Sequence, residues 1–299
     1  MILYRWQGNA PNFGDELNTI LWQRLLPGFF DDDPGARFLG IGSILDHRHA
    51  GPARKLVAGS GYGGYEAPPR LDHTWDISWV RGPRTARLLG LPATLGLGDP
   101  ASLLPLAAPL PSRRRCGIGF MPHFESAGGG LWEQAAAAAG ITLIDPRGDP
   151  RSIMTAIAGC ETLLSEALHG VIVADALSVP WVAMEPLAPI HRPKWGDWAD
   201  TLGLEITFAH LSPSSLLEHA SLSRMAAYHA GRRLLACRGE WLRRRGTGYF
   251  VDRAAAALRR AAQAEPQLSA RAALDRSTSR MLGRLDELRR GNRVKPIGS

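Results

Sequence analysis

The segment Leu164-Ser165-Glu166-Ala167-Leu168-His169-Gly170-Val171 places a hydroxyl, a carboxylate and an imidazole side by side, between an apolar run and an apolar helical pattern. An imidazole grouped in this way at a strand end suits proton transfer or anion binding. A lone histidine is more often a satisfied structural residue, and no G-x-S-x-G elbow accompanies Ser165. Asp15, in Asn12-Phe13-Gly14-Asp15-Glu16-Leu17-Asn18, either caps the helix that follows or takes a proton from a hydroxyl at a cleft mouth. Arg81 and Arg84 follow another apolar run, at a helix start where a phosphate or carboxylate is favoured. His191, Arg192 and Lys194 lie beside Trp195 and Trp198, a set suited to an anion or to a sugar stacked on an aromatic face. His123 closes a further run. No histidine pair has H-E-x-x-H spacing and no D-x-D cluster occurs, so no metal is expected.

These residues need strands to deliver them. Ile2 to Tyr4, Phe38 to Ile41, Leu56 to Ala58, Ile77 to Val80 and Thr94 to Leu97 read as strands, with helices over Glu16 to Leu26 and Pro83 to Leu89. The pattern restarts after Leu110-Pro111-Ser112-Arg113-Arg114-Arg115, which reads as a linker. Cys116 to Met121, Ile141 to Ile144, Thr162 to Leu164 and Trp181 to Met184 are expected as strands. Helices are expected over Leu131 to Ala139, Ile153 to Ala158 and Val171 to Leu177. Continuous apolar runs alternating with helices imply parallel sheets covered on both faces. Ligands of such sheets sit at the carboxyl ends of the strands. The Gly59-Ser60-Gly61-Tyr62-Gly63-Gly64 stretch does not complete a dinucleotide fingerprint, since Pro68-Pro69 breaks any helix behind it.

From Leu216 onward the composition turns to Ala, Leu and Arg, and helices are expected over Leu216 to Ala236, Glu240 to Arg245, Val251 to Ala264 and Arg271 to Arg289. The net charge of +7 divides unevenly: residues 1–214 carry 17 basic and 21 acidic side chains, residues 215–299 carry 18 and 7. The basic excess therefore belongs to the helical extension. It lacks the aromatic interleaving and motifs of a nucleic-acid binder. An anionic membrane surface is the partner its amphipathic helices suggest, with packing on the body as the alternative. Three scattered cysteines make no disulfide framework or thiolate zinc site, and no signal peptide is visible, so a cytoplasmic protein is expected, peripheral at the inner face of the plasma membrane.

Several segments, in this order, resemble the polysaccharide pyruvyltransferase family, in its succinoglycan- and xanthan-type exopolysaccharide branch. They are N-F-G-D-E-L-N at 12–18, G-I-G-S at 40–43, V-R-G-P-R-T at 80–85 and L-G-D-P-A at 97–101. S-E-A-L-H-G at 165–170, P-W-V-A-M at 180–184 and H-R-P-K-W at 191–195 complete them, so the resemblance covers about residues 1–205. It implies a glycosyltransferase-B-like pair of Rossmann-like domains, here 1–110 and 111–214, followed by the basic helical extension 215–299. It implies a pyruvyl ketal formed across two sugar hydroxyls, with phosphoenolpyruvate as donor substrate, no cofactor, and a lipid-linked oligosaccharide or polysaccharide acceptor. His169, Asp15 and Glu166 are then the acid–base candidates. Arg81, Ser165, His169, Arg192, Lys194 and His123 are the donor-binding set, and Asn12, Asn18 and Trp195 the acceptor-binding set. Many family members carry R-L-H-G where this chain has Ala167-Leu168-His169-Gly170, so Arg192 or Lys194 must replace that arginine. A nucleotide-sugar glycosyltransferase of the same fold is the rival activity, and nucleic-acid binding through the tail a more distant one.

Overall fold

The computed structural model describes residues 1–8, 10–110, 115–223 and 246–291. Strands β1 (Ile2–Tyr4), β2 (Ala36–Leu39), β3 (Arg54–Ala58) and β4 (Trp75–Trp79) pair in that order, all parallel. All five residues of β4, Trp-Asp-Ile-Ser-Trp, are buried, as a strand covered on both faces requires. Helix α1 (Phe13–Leu25) returns from β1, and α2 (Pro83–Leu88) and α3 (Leu104–Ala107) follow β4. Thr94 to Leu97 is not a strand: Ala93–Leu95 forms a 3-10 turn, and the chain touches the sheet only through a bridge between Val80 and Gly96.

The second sheet runs β6-β5-β7-β8-β9, again parallel, from β5 (Ile118–Met121), β6 (Thr142–Leu143), β7 (Thr162–Ser165), β8 (Trp181–Met184) and β9 (Phe208–Ala209). Its order reverses between β5 and β7, so the loops carrying His123 and Glu166 leave from a topological switch point. Around it lie α4 (Phe124–Gly129), α5 (Trp132–Ala139), α6 (Pro150–Ala158), α7 (Leu168–Ala176) and α8 (Pro193–Leu202). Helix α6 starts where Asp149 accepts a hydrogen bond from Ser152 N and Pro150 takes the first position. Helices α5 and α8 stop at Gly140 and Gly203 in left-handed conformation. Helix α7 is buried all round except at His169, wedged between its own sheet and the Pro100–Leu103 turn of the first half. That double cover explains why its sequence shows no polar face.

Beyond the second sheet, α9 (Leu216–Ser223) begins where expected. The rest of the expected 216–236 helix and all of 240–245 lie outside the described residues, as does most of the expected linker. Helix α10 (Thr247–Ala261) lays Val251, Ala254 and Leu258 on α5 and the second sheet. Helix α11 (Arg271–Arg289) crosses to the first half, burying Leu274, Met281, Leu285 and Leu288 in the main core. Both apolar faces are therefore occupied by the body, which is the packing alternative rather than a membrane-inserted one. No helix among the described residues is long and apolar enough to cross a membrane.

Candidate active site

Asp15 lies in the first turn of α1, where the chain leaves β1. Asn12 holds the N-cap position through its backbone only, leaving its side chain to donate to Asp15 Oδ2 at 2.6 Å. The carboxylate is buried, and burial pushes its pKa up to about 6. The His169 imidazole, the Asn12 hydrogen bond and the Lys194 ammonium oppose that rise. A carboxylate poised there changes protonation near neutral pH, as a general base should. Asn18, one turn on, is fully buried: it donates to Ile41 O and accepts from Ile41 N and Trp22 Nε1. It therefore pins the 40–43 loop beneath Asp15 and has no group left for an acceptor.

His169 sits in the first turn of α7, whose N-terminus no side chain caps. Its ring lies over Gly14, where a Cβ would overlap the imidazole. Nε2 is 3.5 Å from Oδ2 of Asp99, which is fully buried. Ser165 spends its hydroxyl on the turn, donating to Ala167 O and accepting from Ala167 N. Glu166 is also enclosed: His123 N, Ser126 Oγ and Leu187 N donate to its carboxylate, whose pKa burial raises. Both fasten the loops around the site instead of facing a substrate, against the roles expected for them.

His123 stacks on His191, ring centroids 4.0 Å apart. His191 Nδ1 meets Tyr65 OH at 2.9 Å and Nε2 meets Glu125 Oε2 at 3.1 Å. Burial lowers the pKa of both rings, and Lys194 adds to it, while the Glu125 carboxylate opposes it at His191. His123, Glu125 and His191 bring one potential metal-ligating atom each within 4.8 Å of the others. The near-parallel stack, 29° between planes, is not how two imidazoles converge on one tetrahedral ion. Lys194, at the start of α8, makes no hydrogen bond or ion pair among the described residues, yet its charge acts on Asp15, His123 and His191. It is the expected cation that faces this cluster unneutralised.

The other expected cations do not. Arg81 is fully buried, donating to Asp197 at 3.1 Å, Ser43 Oγ at 2.7 Å and Tyr62 O at 3.0 Å. Asp197 also takes Thr85 N and Oγ1, capping α2 from α8 and tying the two halves together. Arg192 pairs with Glu185 at 2.6 Å and lies over the Phe208 ring. Trp195 is 1% exposed, packed edge-on against Phe208, and offers no face to a sugar. Asp99, Tyr65 and Asp197 carry no local sequence signal of their place here: Asp99 lies within L-G-D-P-A, but only the fold brings it beside His169.

Asp15 from the first half thus comes together with His169 and Lys194 from the second, Lys194 having no hydrogen bond or ion pair among the described residues. No protein-family model matches the chain. It is 42% identical over 207 residues to the succinoglycan biosynthesis protein ExoV of Rhizobium meliloti (strain 1021), over 67% of this chain and 65% of that protein. The chain thus spans just under two thirds of that relative's length. This similarity to a succinoglycan biosynthesis protein agrees with the family that the ordered motifs resemble.

Proposed function

We propose that this chain moves the pyruvyl group of phosphoenolpyruvate onto two hydroxyls of a sugar in an exopolysaccharide repeat unit, releasing phosphate. The observation that carries this is the meeting, between the two halves, of Asp15 with its pKa raised to about 6, His169 and the unpaired Lys194. Succinoglycan in the relative's name supports a related acceptor. The donor's methylene carbon gains a proton and one sugar hydroxyl adds to the neighbouring carbon. The carbon–oxygen bond to phosphate then breaks, and the second hydroxyl adds at the same carbon. Two hydroxyl protons are released, one proton is used at carbon, and one is available to phosphate. His169 serves as acid or phosphate ligand and Asp15 as base. Lys194 and the uncapped N-terminus of α7 meet the donor's anionic groups, Lys194 standing in for the arginine absent at position 167.

In this reading 1–110 and 111–214 are two Rossmann-like domains in a glycosyltransferase-B-like arrangement. Helix α11 braces the first domain from the far end of the chain. The acceptor is lipid-linked, and the solvent-facing arginines of the extension meet an anionic membrane surface through charge alone. A thermal-shift panel separates this from its rivals. Phosphoenolpyruvate should raise the melting temperature, more so in the wild type than in His169→Ala. Stabilisation by a nucleotide sugar or an oligonucleotide, with none from phosphoenolpyruvate, would replace the proposal.

A further inference from the structure

Asp99 N-caps the turn Pro100–Leu103, and Ala101 N donates to its Oδ1 at 3.0 Å. That cap leaves Oδ2 buried without a hydrogen-bond partner, and His169 Nε2 is buried and unpartnered as well. The two orphan atoms face each other at 3.5 Å, one from each half of the molecule. A buried polar atom left unmet is costly, so a bond between them is the arrangement that satisfies both. A gap slightly beyond hydrogen-bond length is what a site tightening on its substrate leaves open beforehand.

We infer that Asp99 is the positioning residue for His169: it fixes a proton on Nε2 and leaves Nδ1, beside Gly14 and Asp15, as the working nitrogen. Nδ1 lies against Gly14, next in the chain to Asp15, and the imidazole's charge acts directly on that carboxylate. The loop holding Asp99 is built to stay in place. Gly98 has φ +142, and a Cβ there would run into Ser277 Oγ of α11. Ser277 in turn donates to Leu97 O at 2.6 Å. A helix from the chain's far end thus holds the carboxylate that orients the imidazole. Capping alone does not call for a carboxylate, since an asparagine supplies the same Oδ1 acceptor.

This inference rests on the proposed pyruvyl transfer for its kinetic arm but not for its spectroscopic one. Asp99→Asn keeps the cap and turns an amide NH2 toward Nε2, which then must accept. In the full chain labelled with 15N-histidine, at a pH where the imidazole is neutral, His169 should carry its proton on Nε2. The His169→Gln variant identifies the signal. In Asp99→Asn the proton should move to Nδ1, and kcat should fall by about 10²–10⁴-fold with KM for phosphoenolpyruvate within about 3-fold of wild type. A wild-type His169 protonated on Nδ1 overturns the inference, and this needs no variant. So does an Asp99→Asn enzyme with unchanged tautomer and unchanged kcat. A tautomer change in a chain that shows no phosphoenolpyruvate-dependent transfer upholds the positioning and defeats the functional reading instead.

Discussion

Asp15 is held where its own charge costs folding free energy. Its pKa rises from the usual 3.8 to about 6, so the folded state binds the proton more tightly than the unfolded chain between those values. Stability from this group is full below about pH 4 and is lost as pH rises through 6. At about pH 8 the penalty is on the order of 2–3 kcal/mol. Asp15→Asn removes the charge and keeps an acceptor for Asn12. Chemical denaturation should find it more stable than wild type at about pH 8, with a flatter stability profile between about pH 4 and 6, and with turnover lost. Asp15 and His169 are legible in the sequence because each follows an apolar run at a strand's carboxyl end. Arg81 looks equally placed, but its partner Asp197 stands 116 residues away, and no local spacing announces that pairing.

At the scale of elements, the two halves are clamped where α8 meets α2. Asp197→Ala leaves the fully buried Arg81 guanidinium without its carboxylate, and should destabilise by about 3–5 kcal/mol in urea titration. Gly98→Ala forces a side chain into a left-handed position against Ser277 and should lower the melting temperature. Adding Ser277→Ala should recover only part of that loss, because the backbone strain stays. The strands of both sheets other than β9 are legible from their apolar runs. Helix α8 is not, since Pro193, Gly196 and the flanking tryptophans read as a loop when they in fact start a helix and pack its inner face. Strand β9, with two residues, is too short to show a period.

Across the whole molecule, the uneven charge reads differently once the helices are in place. Helix α11 covers the first half with Leu274, Met281, Leu285 and Leu288, each worth roughly 1.5–3 kcal/mol of burial. Deleting residues 267–299 should therefore expose core, seen as dye binding and a lower melting temperature. Any sedimentation of the intact protein with anionic vesicles should vanish as salt rises, because α10 and α11 bury their apolar faces against the body and leave their arginines outside.

Transfer itself is best followed in D2O, with phosphoenolpyruvate and a succinoglycan-type oligosaccharide lacking pyruvate. The acceptor should gain one pyruvate less one water, with one phosphate released per ketal and a single deuterium in the ketal methyl, and His169→Ala should give none. An acceptor unchanged by phosphoenolpyruvate but extended from a nucleotide sugar would contradict the assignment of this site to pyruvyl transfer.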